Sequence, residues 1–164
     1  SDNYSAVDIG CGNGWVCRLL AQDESCTRVL GVDGSEAMIS KARQIDSNGE
    51  YKVTKLPEWM PSEKFDFIHS MEFLYYLHDP QSMLKQLHEN WLNSGGMLVA
   101  GIDHYRENDD SHDWPDALNV HMTTLSIDEW KAAMIEAGFI DVEMHQVAAS
   151  ESFLGTLVMC GKKN

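Results

Sequence analysis

Short apolar runs alternate with segments of helical periodicity along the chain, and this alternation is typical of an α/β fold with a largely parallel sheet. The run at 97–102 contains no charged residue and therefore predicts a central strand. The last two strands follow one another without a helix between them, which predicts that they pair antiparallel. In all, the pattern predicts seven strands, over residues 6–9, 29–32, 51–55, 65–68, 97–102, 140–147 and 154–161.

The segments between these strands carry helix-start and helix-stop residues. Ser35 and Asp79 are expected N-caps, and a capping box begins at Ser126. Gly138 is the expected end of the last helix. Residues 104–125 lack such a pattern and predict a long polar loop. The predicted helices cover residues 15–22, 35–44, 79–91 and 126–137.

Composition limits the classes of function. The chain has 164 residues, 43% of them hydrophobic and 23% charged, so we expect one globular domain over residues 1–164. A net charge of −14 argues against nucleic acid and anionic membranes as partners. The sequence contains no apolar run of about 18 residues and no signal-peptide pattern, so we expect a cytoplasmic protein. It gives no indication of oligomeric state.

The four cysteines, at positions 11, 17, 26 and 160, do not form a CxxC pair. A metal site or a redox pair is one interpretation of them. We favour the other, four reduced and mostly buried thiols, because cysteine is among the most frequently buried residue types.

The strongest local pattern is the glycine-rich segment from Gly10 to Gly14, which lies directly between a predicted strand and a predicted helix. Glycines allow a sharp turn and a close approach of a ligand to the backbone. Asp33 ends the next strand, where a carboxylate can accept hydrogen bonds from ribose hydroxyls. The alternative is an ordinary tight turn with a helix-capping acid. The spacing is G-x-G-x-G followed by Trp15, and it differs from the dinucleotide fingerprint G-x-G-x-x-G.

With Asp8 two residues before the first glycine, this segment resembles the first motif of the class I S-adenosylmethionine-dependent methyltransferases. The segments at 65–80, 92–98 and 137–139 resemble later parts of that family in the same order. The resemblance implies S-adenosylmethionine as the cofactor and a doubly wound, Rossmann-like sheet of order 3-2-1-4-5-7-6, mostly parallel with one antiparallel strand. It implies that the cofactor-binding residues are Asp8, Gly10, Cys11, Gly12, Asp33, Gly34, Met38 and Ser70.

Two features depart from the family pattern. The family usually has an acidic residue just after strand three, where it binds the adenine amino group, whereas residues 51–57 offer lysines and a threonine. Only five residues precede the first strand, where family members usually have covering helices. The sequence therefore predicts either the catalytic core of a longer protein or a minimal family member.

The predicted substrate residues lie after strands four and five, because ligands of such sheets bind at the carboxyl ends of the strands. His104 is the predicted general base, since its ordinary pKa of about 6.5 suits proton transfer near neutrality. Trp114 is either a lid over the substrate or an anchor for the long loop. The other predicted substrate residues are Glu72, Tyr75, Asp103 and Tyr105.

Three residues of the long loop, His112, Asp113 and His121, have metal-ligand side chains, but their spacing matches no known ligand set. We interpret them as solvated loop residues and predict no metal. The acidic composition favours a small-molecule methyl acceptor. Two alternatives remain: a non-catalytic cofactor-binding or regulatory module, and a nicotinamide-dependent oxidoreductase, which the glycine spacing disfavours.

Overall fold

A computed structural model describes residues 2–164 as one seven-stranded sheet of order β3-β2-β1-β4-β5-β7-β6. Strand β7 runs antiparallel to both of its neighbours, and the remaining pairs are parallel. The fold class and the strand order that the resemblance implied are therefore confirmed. The strands are β1 Tyr4–Ile9, β2 Cys26–Asp33, β3 Glu50–Val53, β4 Phe65–Met71, β5 Leu92–Ile102, β6 Ile140–Val147 and β7 Thr156–Lys162.

Helices connect the strands as crossovers. Helices α1 and α2 pack beside strands β1 to β3, whereas α3 and α5 pack on each other and α5 also packs beside β6 and β7. Right-handed crossovers in this strand order place the two groups on opposite faces of the sheet. The helices are α1 Trp15–Leu20, α2 Glu36–Ile45, α3 Pro80–Gln86, α4 Trp114–Leu118 and α5 Ile127–Glu136. A π-helical turn, Leu87–Trp91, extends α3, and 3₁₀ turns cover Leu74–Tyr76 and Asp109–Ser111.

The predicted helix caps are confirmed. Ser35 accepts a hydrogen bond from the Met38 N–H, and Asp79 accepts one from the Ser82 N–H. Ser126 forms the expected capping box with the third residue of α5. These side chains satisfy backbone donors that the first turn of a helix leaves free.

The main core packs against the central strands. Ile9, Ile68 and Leu98 are fully buried on three neighbouring strands, and Trp91 and Trp130 are the largest fully buried side chains. Full burial of one such apolar side chain contributes about 1.5–3 kcal/mol. This packing fixes the relative positions of β1, β4 and β5, and so of the residues that follow them.

Most predicted element boundaries shift by one to three residues, whereas the start of β5 shifts by five. Strand β5 begins at Leu92, although residues 93–96 look like a turn. Tertiary pairing overrides that local preference, because the Gly95 N–H donates to the Lys163 carbonyl and the Lys163 N–H donates to the Gly96 carbonyl. Helix α1 ends at Leu20, where the capping residue Ala21 is followed by a turn.

The segment 104–125 is also more ordered than predicted, because it contains α4 and a 3₁₀ turn. Pro115 stands in the first turn of α4, and Asn119 ends the helix in the left-handed conformation at φ 51°. Both are recognised helix-boundary residues, so the sequence carried the pattern that predicts this short helix. Among residues 2–164, no helix has the length and apolar character needed to cross a bilayer.

Candidate active site

The glycine segment forms a tight loop at the carboxyl end of β1. Gly10, Gly12 and Gly14 all have positive φ, at 72°, 55° and 82°. A Cβ atom on Gly14 would stand 2.6 Å from the ring of Tyr51, so glycine is required there for space as well as for conformation. The loop therefore exposes bare backbone at this edge of the sheet.

Asp33 ties this loop to the end of β2. Its Oδ2 accepts a hydrogen bond from the Gly12 N–H at 2.9 Å, and its Oδ1 accepts one from the Ser35 N–H at 2.9 Å. A carboxylate has about four acceptor sites, so two remain for ligand hydroxyls. This geometry fits the ribose-binding position that the resemblance assigns to Asp33.

Asp8 supports the loop from below. Its side chain is buried, and its Oδ1 lies 2.8 Å from the Nδ1 atom of His69 on the neighbouring strand. Burial raises the pKa of Asp8, and the contact with His69 opposes that rise. Asp8 therefore joins β1 to β4 beneath the place where a ligand would lie.

The other predicted cofactor residues surround the same loop. The buried Ser70 hydroxyl donates to the Ile9 carbonyl at 3.2 Å. The Cys11 thiol is also buried and lies 3.7 Å from the Gly12 carbonyl oxygen. The Met38 methyl group lies 3.4 Å from the position that a Cβ of Gly12 would occupy.

All four cysteines are free, but Cys26 and Cys160 are only half-buried, so the expectation of burial holds for two of them.

A cleft of about 340 Å³ opens between the ends of β1, β2, β3 and β4. The structure brings four of the predicted site residues together on its wall, namely Gly10, Asp33, Gly34 and Glu72. Sequence reasoning did not place Thr54, Phe73 and Tyr76 there, although they line the same cleft. Thr54 follows β3, at the position where the family pattern has its acidic residue.

Four buried acceptor oxygens without a hydrogen-bond partner lie at this edge of the sheet. They are Asn13 Oδ1, Thr54 Oγ1, Glu72 Oε1 and Asp103 Oδ1, and they follow β1, β3, β4 and β5. A buried polar group without a partner costs about 1–3 kcal/mol, so native folds rarely leave several at one place. Their common position places the acceptors that lack protein partners at the edge where ligands of such sheets bind.

Glu72 has the most perturbed carboxyl group at this edge. Its backbone is left-handed, with φ 55°, and its N–H donates to the Gly101 carbonyl at 2.8 Å. The Tyr75 hydroxyl donates to its Oε2 at 2.6 Å. Burial raises the pKa of Glu72 to about 7, and the charge of Asp103 adds to this rise, whereas hydrogen bonds from the Tyr75 hydroxyl and from the Asp103 backbone N–H oppose it. Burial raises the pKa of Tyr75 as well, so its hydroxyl stays a donor.

The structure places His104 in the protein interior. The ring is fully buried, with Nδ1 3.0 Å from the Ser111 carbonyl oxygen and Nε2 2.7 Å from the Thr124 hydroxyl. Burial lowers the pKa of His104, which keeps the ring neutral. With both nitrogens in contact with protein atoms, this geometry does not favour His104 as the general base.

Tyr105 and Trp114 also belong to the packing of the long loop. Tyr105 is fully buried, and its hydroxyl donates to the Gly155 carbonyl at 2.7 Å. The Trp114 ring lies 6.3 Å from the His104 ring and packs against the main core, which favours the anchor over the lid. Neither side chain lines the cleft next to Glu72.

Two histidines of the long loop make local contacts. His112 Nε2 lies 2.7 Å from the Arg106 carbonyl oxygen, and the His121 ring stacks on His78 at 3.7 Å. In the described part of the chain, residues 2–164, no three His, Cys, Asp or Glu side chains are grouped so that they could hold a metal ion.

A family model described as a methyltransferase domain matches residues 2–144. The chain belongs to this methyltransferase family. Curated relatives include the trans-aconitate 2-methyltransferase of Azoarcus sp. (strain BH72), which is 34% identical over 98 residues, or 60% of this chain and 38% of the relative. The enzyme of the same name from Variovorax paradoxus (strain S110) is 30% identical over 102 residues, or 62% of this chain and 39% of the relative. The chain thus spans about two fifths of the length of these relatives.

Solved methyltransferase structures share the fold over almost the whole chain. One is a chain of the complex between the Haloferax volcanii Trm112 methyltransferase activator and a methyltransferase, with a TM-score of 0.81 and 26% identity over 99% of this chain and 82% of that chain. Another is the S-adenosylmethionine-dependent methyltransferase of Mesorhizobium loti, with a TM-score of 0.81 and 22% identity over 99% of this chain and 92% of that chain.

The residues at the cleft fit S-adenosylmethionine as the methyl donor of the family. That molecule carries an ammonium group, two ribose hydroxyls and an adenine amino group, which are the kinds of donor that unpartnered acceptor oxygens need. Asp33 has free acceptor sites for the hydroxyls. Thr54, only 6% exposed, has an unpartnered hydroxyl directly after β3.

Proposed function

We propose that the protein transfers a methyl group from S-adenosylmethionine to a small-molecule acceptor. The observation that carries this proposal is the glycine loop after β1 with the Asp33 carboxylate beside it, which keeps two acceptor sites free for ribose hydroxyls. The family match over residues 2–144 supports it and also supports a single methyltransferase domain. The trans-aconitate methyltransferases act on a small molecule according to their names, and the net charge of −14 disfavours a polyanionic acceptor such as nucleic acid.

The residues of the chain would act mainly by binding and alignment. The bound S-adenosylmethionine supplies an electrophilic methyl group on a sulfonium. Asp33 and the glycine loop would hold its ribose and methionine moiety, and Thr54 would bind its adenine edge. Methyl transfer is an in-line displacement, so holding the acceptor and the methyl group in one line supplies much of the catalysis. Burial of the acceptor end of the cleft would keep water away from the reacting atoms.

We also propose that this reaction takes place in the cytoplasm. The support is that all four cysteines are free, and that two of them, Cys11 and Cys17, are buried next to each other at the glycine loop. Free thiols suit a reducing compartment.

Calorimetric titration with S-adenosylmethionine, S-adenosylhomocysteine and NAD tests the proposal. We expect the two adenosyl ligands to bind and NAD not to bind. Asp33→Asn keeps the size of the side chain but removes its charge, and it should weaken binding by about 10–100-fold, since a hydrogen bond to a charged group is worth about 1.5–3 kcal/mol. Binding of NAD alone, or of none of the three ligands, would refute the proposed function.

A further inference from the structure

The cleft has an acidic end that the methyl donor does not explain. Glu72 follows β4 and Asp103 follows β5, and each has one buried oxygen without a partner. The two strands are paired up to Met71 and Gly101, so both carboxylates emerge at the same place on the sheet edge. Their charges are close enough for Asp103 to raise the pKa of Glu72.

Glu72 is held in place by contacts on both sides. A left-handed backbone is costly for a residue with a Cβ atom, and such conformations persist where the surroundings enforce them, often at functional sites. Here the Glu72 N–H is fixed by the Gly101 carbonyl, and its Oε2 is fixed by the Tyr75 hydroxyl. Its Oε1 is buried and has no close hydrogen-bond partner.

The charged groups around Glu72 define which ligand can occupy this end of the cleft. Asp33 and Glu72 line the cleft, with Asp103 beside them, and the one basic side chain on the wall is the exposed Lys55. Tyr76 also lines the cleft, whereas Tyr75 is buried and its hydroxyl donates to Glu72. A carboxylate would have to approach two like charges, whereas an N–H or O–H group would meet unpartnered acceptors.

We propose that the methyl acceptor is an amine or a hydroxyl group and that Glu72 is the catalytic residue that takes its proton. This inference rests on the proposed function and names its acceptor class. In the step, the acceptor N–H or O–H proton moves to the Glu72 carboxylate and the acceptor lone pair forms the new bond to the methyl carbon. The electron pair of the broken carbon–sulfur bond stays on sulfur, and the products are the methylated acceptor, S-adenosylhomocysteine and protonated Glu72.

The surroundings suit Glu72 to this reaction. A general base works best when its pKa is near the working pH, and burial brings the pKa of Glu72 to about 7. Tyr75 acts as a positioning residue, because its hydroxyl donates to one carboxylate oxygen and so fixes the orientation of the carboxylate. A carboxylate acceptor, as in the relatives named for trans-aconitate, is already ionised and would need no base.

A binding experiment tests the acceptor class without turnover. Protein saturated with S-adenosylhomocysteine is titrated with butylamine, butanol, butyrate and trans-aconitate, and binding is followed by ligand-observed NMR. We expect butylamine or butanol to bind, with about 10-fold weaker binding to Glu72→Gln and unchanged binding to Glu58→Gln, an exposed control. Tighter binding of butyrate or trans-aconitate, or no binding of any probe, would overturn the proposal.

A kinetic experiment tests the role of Glu72. Turnover of radiolabelled S-adenosylmethionine is measured on matched panels of amines, alcohols and carboxylic acids. We expect turnover on amines or alcohols, with a rate that rises with pH through about 7. Glu72→Gln should lower kcat about 100-fold or more and abolish this pH dependence, with KM for S-adenosylmethionine unchanged, and Glu72→Asp should restore part of both.

The two proposals fail in different ways. If the unmodified protein does not bind S-adenosylmethionine, the proposed function is refuted. If it binds S-adenosylmethionine but methylates only carboxylic acids, or if Glu72→Gln keeps its kcat and pH profile, only the inference about the acceptor is overturned. Thermal unfolding of Glu72→Gln, followed by circular dichroism, shows that any loss does not come from a failure to fold.

Discussion

Replacing Glu72 by glutamine should stabilise the protein at alkaline pH while it abolishes the proposed base. The carboxyl group is half-buried beside Asp103, and its ionisation is disfavoured in the folded state. Glutamine has the same shape and no charge, and its carbonyl oxygen can still accept from the Tyr75 hydroxyl. The substitution therefore removes the electrostatic cost and keeps the packing.

The sign and size follow from the pKa. Burial raises the pKa of Glu72 from 4.5 to about 7. Below about pH 4.5 the group is neutral in the folded and the unfolded state, so it does not lower the free energy of unfolding. As the pH rises toward 7, the unfolded chain ionises first, so wild-type stability falls, and the loss levels off above about pH 7. At about 1.4 kcal/mol per unit, the full loss is about 3 kcal/mol, and screening by solvent reduces it to about 1–2 kcal/mol.

Urea unfolding of the two proteins at about pH 5 and about pH 8 measures this difference. We expect Glu72→Gln to gain about 1–2 kcal/mol over wild type at the higher pH and much less at the lower pH. In a protein of this size the gain corresponds to a rise in Tm of about 2–8 °C. The exposed Glu58→Gln variant serves as the control. A Glu72→Gln protein that is no more stable than wild type at the higher pH, or equally stabilised at both, would refute the reasoning.

Three other variants test the remaining parts of the site. Gly14→Ala should lower the free energy of unfolding about 1–3 kcal/mol more than Gly95→Ala, measured by urea unfolding. Both glycines have φ near 80°, but only the new Cβ at position 14 would collide with Tyr51, so equal losses would contradict the argument. Thr54→Val should weaken S-adenosylhomocysteine binding about 10-fold in calorimetry without lowering the stability of the free protein, because a hydroxyl without a partner is removed. His104→Ala should cost about 2–4 kcal/mol of stability and leave kcat within about 3-fold, whereas a large loss of kcat in a folded variant would restore His104 as the base.

The sequence predicted those parts of the fold that depend on local patterns. The alternation of apolar runs and helices located all seven strands, and the caps at Ser35, Asp79 and Ser126 are as expected. The strand order was implied by the resemblance to the methyltransferase family, and that resemblance rests mainly on the glycine loop. Residues 93–96 lie between the predicted helix and the predicted strand, and their place in β5 was missed because they pair with Lys163, which is far away in the sequence.

The site was predictable where a residue type has one common use beside a ligand. Glycines with positive φ and an acid after β2 are such cases. His104 is not, since a histidine in a polar stretch can be a solvated base or a buried side chain, and burial depends on the whole fold. Glu72 was predicted to be a substrate residue, but its left-handed backbone and its raised pKa depend on burial and on contacts with Gly101 and Asp103, which come from the next strand and its end.

Several features that destabilise the free protein lie at the edge of the sheet where the ligands would bind. Unpartnered acceptors at Asn13, Thr54, Glu72 and Asp103 and the left-handed backbone at Glu72 each disfavour the free protein. A ligand that supplies donors to these oxygens relieves part of that cost only in the folded state. Binding should therefore stabilise the protein by about 2.7 kcal/mol at a ligand concentration of 100 times Kd. Glu72 and Asp103 are not among the residues assigned to the methyl donor. A second increase in the free energy of unfolding should therefore appear when an acceptor amine or alcohol binds to the complex. The Glu72→Gln variant should lose this second increase and keep the increase caused by the methyl donor.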